Sequence, residues 1–231
     1  MSTVIKDNIS STLYETDNSN ECSLKYKDQI SMPGQKAINV KDKGAFNQNL
    51  AAQIYKLLSS YHIRTFFIKD KQDNTLSVRN IDWVPVFNLV RNMAAGNLVS
   101  RFGLEEGKEL DCPLIEYYLH AANGEDQLIS EDHIISFGYA TKDELKEMHR
   151  MASKINVILK DFFRRRGIKV VDFKLEFGRN KDKNIVLTGD FAIESCHLMN
   201  IETNAYLLSD KDAGDKNKLL ADLKILQEKL S

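Results

Sequence analysis

Val171-Asp172-Phe173-Lys174-Leu175-Glu176-Phe177-Gly178-Arg179 alternates strictly between apolar and polar residues. That two-residue period is the signature of a β-strand with two different faces. Phe173, Leu175 and Phe177 fall on one face; Asp172, Lys174 and Glu176 fall on the other. The ordinary reading is a half-exposed strand whose charged face meets solvent. The sharper reading is one wall of a site for a metal and phosphates. Mg²⁺ takes one or two carboxylates and fills its other positions with water and phosphate oxygens, and an adjacent lysine neutralises phosphate charge.

The flanks of this strand are equally patterned. After it, a turn through Asn180–Asn184 and a strand over Ile185–Phe191 predict a hairpin. The hairpin puts Asp190 into the same sheet as Asp172 and Lys174, to within a residue or two of register. Before it, Thr141 and Glu144 have capping-box spacing. Leu145, Met148, Ala152, Ile155, Leu159 and Phe162 then mark the buried stripe of a long helix ending near Gly167. Arg164-Arg165-Arg166 reads as favourable charge in its last turn.

Further upstream, Ser11–Glu15, Leu24–Tyr26, Thr65–Lys69, Leu76–Asp82 and Val84–Arg91 read as strands, and Gly44–Tyr61 as a helix. Pro85 predicts an edge position or a strand start. Asp28 to Lys43, with Pro33 and Gly34, reads as an exposed connection. Leu114–Leu119 reads as a strand, Ser130-Glu131-Asp132 as the cap of a short helix, and Leu219, Leu223, Leu226 and Leu230 as the stripe of a final helix. The order of elements is that of an α+β protein, strand-rich over 1–91 and carrying the long helix over 92–231.

Bulk composition narrows the function. A chain of 231 residues with 42% hydrophobic residues can bury a full core as one large or two small domains. Lys plus Arg is 32 and Asp plus Glu is 33, so a general nucleic-acid binder is disfavoured. Cys22, Cys112 and Cys196 are odd in number and far apart, which points to reduced thiols and a cytoplasmic setting. The first twenty residues are polar and acidic, with no apolar segment for secretion. No run approaches the roughly 18 apolar residues of a membrane helix. A homo-oligomer is left open.

The Asp172–Arg179 run resembles the most distinctive segment of the SAICAR synthetase family, the phosphoribosylaminoimidazole-succinocarboxamide synthases of purine biosynthesis. Arg91-Asn92-Met93-Ala94-Ala95-Gly96-Asn97-Leu98, followed by Arg101 and Gly103-Leu104-Glu105-Glu106-Gly107, resembles a second family segment. Lys43-Gly44 with Asn47 fits a third. The similarity runs from about Lys43 to Asp190 and decays on either side. It implies two lobes related in shape to the protein-kinase fold, joined near Arg91–Gly96, with ATP in the cleft between them. It also implies a ligase that uses ATP and Mg²⁺ to join L-aspartate to a carboxylated aminoimidazole ribonucleotide.

The resemblance assigns roles residue by residue. Arg91 would hold the substrate's 5′-phosphate, for which its planar fork is suited; its alternative is an interdomain salt bridge. Asn97, where the family has serine, and Arg101 would support the same anion. Lys174 would contact substrate or phosphates, and Glu176 would ligate Mg²⁺ together with Asp190. Asp172 would hold the strand in place.

Other family positions are replaced. Alignment through Tyr14 and Thr16 puts Asn8-Ile9-Ser10-Ser11 where the family has a Gly-Lys-Ala-Lys loop over the ATP phosphates. Lys6, Lys36 and Arg79 are the basic residues that might compensate, Arg79 toward the nucleotide. Gly189 stands where the family has a metal-binding aspartate, Ala192 where it has serine, and His197 where it has an arginine toward the substrate. A later Asp-Lys-Asp-Arg-Phe-Arg motif survives as Asp210-Lys211-Asp212. A hydrogen bond to a charged group contributes roughly 1.5–3 kcal/mol, so losing two loop lysines without compensation would cost about two to four decades in rate or affinity. Two readings follow: an active ligase with a weakened ATP site, and a non-catalytic or altered-specificity paralogue acting as a binding protein.

Overall fold

The structure is a computed structural model that describes residues 3–30, 36–120, 126–209, 212 and 214–230. In chain order its strands are β1 (Val4–Asp7), β2 (Ser11–Glu15), β3 (Glu21–Tyr26), β4 (Gln29–Ile30) and β5 (Ile38–Asn39), then helix α1 (Lys43–Ser60). There follow β6 (Phe67–Asp70), β7 (Thr75–Arg79), β8 (Asp82–Met93), α2 (Asn97–Phe102), β9 (Glu109–Leu119), β10 (Gln127–Ile129), α3 (Glu131–Ser136) and α4 (Lys142–Arg164). The chain closes with β11 (Ile168–Arg179), β12 (Ile185–Thr188), a 3-10 turn at Ile193–Ser195, β13 (Cys196–Asn200), β14 (Tyr206–Leu207) and α5 (Lys216–Leu230).

Two sheets organise these elements. A five-stranded sheet runs β1-β2-β3-β7-β6; a seven-stranded sheet runs β10-β9-β8-β11-β13-β14, with β12 on β11. The change from one sheet to the other falls between Arg79 and Asp82. The boundary expected at Arg91–Gly96 therefore lies inside the second sheet. Strand propensity is continuous up to Met93, and pattern alone cannot tell which sheet a strand joins.

The opening stretch becomes β11, a central strand. Phe173, Leu175 and Phe177 are buried against α4, whose stripe residues Leu145, Met148, Ala152, Ile155 and Leu159 belong to the same core. Both ends of α4 follow the sequence signals. Thr141 and Glu144 make the reciprocal capping box, and Gly167 adopts φ 69° just past the helix. The arginines there are accounted for locally: Arg164 and Arg165 pair with Asp161, and Arg166 lies over the Phe162 ring.

Three expectations change. Pro85 is neither on an edge strand nor at a strand start; β8 lies between β9 and β11, and Pro85 sits where its register with β11 shifts between Glu176/Phe87 and Gly178/Trp83. A bulge leaves no ladder hydrogen bond for proline to break. β12 ends at Thr188, so Asp190 lies beyond the sheet rather than within it. Gly189, at φ 96°, turns the chain out of the strand there. Residues 196–207, for which the sequence predicts no element, contain the short strands β13 and β14. Pro33, Gly34, Asp210 and Lys211 lie outside the described residues.

Candidate active site

Register decides which side chains share a face. β11 pairs Asp172, Lys174 and Glu176 with Arg91, Leu89 and Phe87 of β8. β8 in turn pairs Leu89 with Glu116 and Phe87 with Tyr118 of β9. With side chains alternating across the sheet, these residues form one continuous polar face. The loop before β2, the Gly189–Ser195 segment and His197 of β13 close over it to bound a cavity of about 660 Å³. That size lies in the usual range for small-molecule sites.

Glu176 is the hub of this cavity. It accepts from Lys6 Nζ at 2.6 Å, from Lys174 Nζ at 3.2 Å and from His120 Nε2 at 3.3 Å. Burial alone would raise its pKa, but the hydrogen bond from His120 and the charges of Lys6 and Lys174 outweigh it and hold the carboxyl well below its ordinary range. Lys174 Nζ also sits 4.0 Å over the Phe87 ring, a cation–π contact that fixes the long side chain. His120 lies tilted against the same ring, centroids 4.8 Å apart, and faces Asp126 through Nδ1 at 3.5 Å.

Asp190 borders the same cavity but is more tightly held. Its Oδ2 accepts from the hydroxyls of Ser10 and Ser11, and its Oδ1 from Ser195 Oγ and Ala192 N. The backbone around it is pinned by two tyrosines, Tyr55 donating to Gly189 O and Tyr26 to Asp190 O. Burial pushes both phenols far up, so they stay protonated donors. Glu194, also on the wall, pairs with the fully buried Lys43 and accepts from Asn47 Nδ2. The Lys43-Gly44 and Asn47 fragment thus shapes the cavity from behind. A side chain at Gly44 would meet Tyr26 O at 2.8 Å, so that approach requires glycine.

At the other end of the face, Arg91 is only 3% exposed. Its Nε donates to Glu116, one terminal nitrogen to Asp172 and Ala95 O, and the other to Asn97 Oδ1 and the Tyr118 hydroxyl. All five donors of the guanidinium are used. Arg101 joins through Glu116 at 3.0 Å. Arg91, Asn97 and Arg101 therefore converge on one another, but on Glu116 and Asp172 rather than in the cavity. Asp172 reaches the cavity on its far side, accepting from Nδ1 of the half-exposed His197 at 2.8 Å.

Of the three basic residues named for compensation, one is in place. Lys6 lines the cavity. Lys36 is exposed elsewhere, and Arg79 donates to the carbonyls of Thr65 and Phe67 in a separate surface hollow. Sequence reasoning missed His120 and Asp126. The signal for His120 was there: Glu116, Tyr118 and His120 are in period-two phase, so β9 extended by one residue delivers it to the same face.

Among the described residues, no group of three or more His, Cys, Asp or Glu is placed to hold a metal by itself. The donor set fits a different arrangement. Mg²⁺ needs only one or two protein carboxylates when phosphates supply the rest, and Glu176 and Asp190 border one cavity. No helix among the described residues is long and apolar enough to cross a membrane.

Comparison with known proteins agrees with this layout. The sequence model of the SAICAR synthetase family matches residues 10–230. The phosphoribosylaminoimidazole-succinocarboxamide synthase of Clostridium kluyveri is 39% identical over 201 residues, 87% of this chain and 84% of that one. A crystal structure of the corresponding synthase of Ehrlichia chaffeensis superposes with a TM-score of 0.90 at 31% identity, covering 99% of this chain and 98% of that one. A SAICAR synthetase (type 2) in complex with ADP also gives a TM-score of 0.90, at 33% identity and covering 99% and 97%. Matched over nearly its whole length in both sequence and fold, this chain belongs to the SAICAR synthetase family.

Proposed function

We propose that this protein is an ATP-dependent ligase of purine biosynthesis, joining the amine of L-aspartate to the carboxylate of carboxyaminoimidazole ribonucleotide. The observation that carries this reading is the convergence of Lys174, Glu176, Asp190 and His197 on one cavity along the polar face of β11. A carboxylate is a poor electrophile. ATP first transfers its γ-phosphoryl group to a carboxylate oxygen; the aspartate amine then attacks the acyl carbon, and phosphate leaves with that oxygen. Such transfers depend on positioning and on neutralising spreading negative charge.

The chain's own residues supply both. Lys174, held over Phe87, presents its ammonium beside Glu176, where a transferring phosphoryl group gains charge. Glu176 and Asp190 would hold a Mg²⁺ ion that arrives with the nucleotide, and that ion supplies charge neutralisation. His197, hydrogen-bonded to Asp172, would face the ribonucleotide, with the buried Arg91 and the exposed Asn97 and Arg101 forming a support behind it. The setting is cytoplasmic, in keeping with three free cysteines. A purely binding role is not favoured, since the charged groups facing the cavity are those the reaction needs.

The test is direct. Purified protein is given ATP, Mg²⁺, L-aspartate and the carboxylated ribonucleotide, and ADP and the succinocarboxamide product are followed together. Equal amounts of both, formed only when every substrate is present, are expected. No product above the enzyme-free control would overturn the reading.

A further inference from the structure

We propose that Lys6 is a phosphate-binding residue of this enzyme: it supplies from β1 the cation that the neutral loop Asn8–Ser11 lacks, by exchanging Glu176 for the nucleotide's terminal phosphates. The inference rests on the nucleotide occupying the cavity described above.

The argument begins with a charge balance. Lys6 and Lys174 are the ammonium groups that line the cavity, against six carboxylates. Most of those carboxylates have partners outside the cation pool that a ligand could use. Asp172 is held by Arg91, Glu194 by Lys43, Asp190 by serine hydroxyls, and Asp7 by Lys27. Glu176 alone takes both lysines. A polyphosphate entering here meets a wall with a surplus of negative charge, and Lys6 and Lys174 are the groups able to turn toward it.

Lys6 is built to make that exchange. It comes from the edge strand of the five-stranded sheet and reaches across to the other sheet, a separation of 170 residues in sequence. Its side chain keeps 27% exposure, whereas that of Glu176 keeps 10%, so the ammonium can leave without burying an unpaired charge. Its stem is steadied by the Trp83 ring, with Nζ 4.8 Å from the centroid. Glu176 would retain Lys174 and His120 after Lys6 turned away. The loop itself has no such group. Asn8 and Ile9 are uncharged, and the Ser10 and Ser11 hydroxyls are committed to Asp190.

The proposal is tested by measuring ATP and AMP affinity in constant Mg²⁺ by calorimetry for the unaltered protein, Lys6→Met, Lys6→Arg and the surface control Lys36→Met. Lys6→Met should weaken ATP about 10- to 100-fold, the value of one charge-assisted hydrogen bond. It should leave AMP, which lacks the terminal phosphates, within twofold. Lys6→Arg should restore most of the ATP affinity, and Lys36→Met should change nothing. ATP affinity unchanged in Lys6→Met overturns the proposal alone, as does an equal loss for ATP and AMP, which would mean that Lys6 only shapes the cavity. Failure of the unaltered protein to bind ATP overturns the proposed function and this inference with it.

Discussion

The two ends of one sheet face use the same chemistry for opposite purposes. At the Glu176 end, a carboxylate is surrounded by Lys6, Lys174 and His120, whose side chains retain 27%, 31% and 35% exposure. At the Arg91 end, Arg91, Glu116 and Asp172 retain 3%, 8% and 3%. Charges whose partners keep one foot in water can change partners when a ligand arrives. Charges buried together cannot, because separating them leaves an unpaired ion in low dielectric. The exposure of the cation at the centre of each cluster, 3% for Arg91 against 27% for Lys6 and 31% for Lys174, rather than the presence of charge, separates the two ends.

Replacing the buried ion is the strongest test of that contrast. Arg91→Ala should destabilise the protein by about 3–5 kcal/mol, because Glu116 and Asp172 would be left without their shared counter-ion; chemical denaturation reads this. An unchanged melting temperature together with a tenfold weaker ribonucleotide would reverse the assignment and make Arg91 a phosphate ligand. At the other end, Glu176→Gln should cost about 10²- to 10³-fold in turnover, as expected for a group that organises charge around a reacting phosphoryl group, together with some stability, since a carboxyl held well below its ordinary pKa stabilises the fold when ionised. A large fall in melting temperature with near-normal turnover would show the Glu176 cluster to be structural too.

A third ion pair lies remote from both ends. Arg179 donates to Glu144 at 2.5 Å, and this bond, with the backbone bond from Thr141, lowers the Glu144 pKa from 4.5 to about 2 despite burial. Glu144→Ala should destabilise by about 2 kcal/mol at neutral pH through loss of the cap and the charged hydrogen bond. Because the folded pKa is depressed, that stability is present above about pH 4.5 and lost as the pH falls toward 2. The difference between variant and unaltered protein should shrink over the same window. A pH-independent difference would assign the effect to packing.

The smallest effect concerns the loop. Ile9 is exposed on the cavity rim, so Ile9→Lys should tighten ATP up to about tenfold at little cost in stability. Ser11 is fully buried and donates to Asp190, so Ser11→Lys should instead destabilise. Gly189→Asp has room, the nearest atom being Glu176 Cβ at 4.0 Å, but its φ of 96° strains any side chain. Its gain as a metal ligand would be offset by about 1–2 kcal/mol of backbone strain.

These positions also show what the sequence could and could not carry. The face of β11, the long helix with its caps, and the hairpin through Asn180–Asn184 were legible because period and capping are local properties. The destination of Arg91 was not. Its donors go to Glu116, 25 residues away, and to Asp172, 81 away, and no local signal reports a partner at that distance. Asp190 borders the same cavity as Glu176, though not from within the sheet as the hairpin predicts. The hairpin aims it there, but Gly189 turns it out of the strand before it arrives. Lys6 could be named only as one of several basic residues, since nothing in the sequence says that a side chain of β1 reaches across to the second sheet.

The central claim is that the Glu176 end receives a nucleotide together with a divalent cation. Six carboxylates line the cavity, so ATP without a counter-ion should be repelled. Calorimetric titration of ATP into the purified protein, with Mg²⁺ and then with EDTA, tests this most directly. The account predicts saturable binding with Mg²⁺ and at least a tenfold loss without it. Equal affinity in the two conditions, or no binding in either, would contradict it.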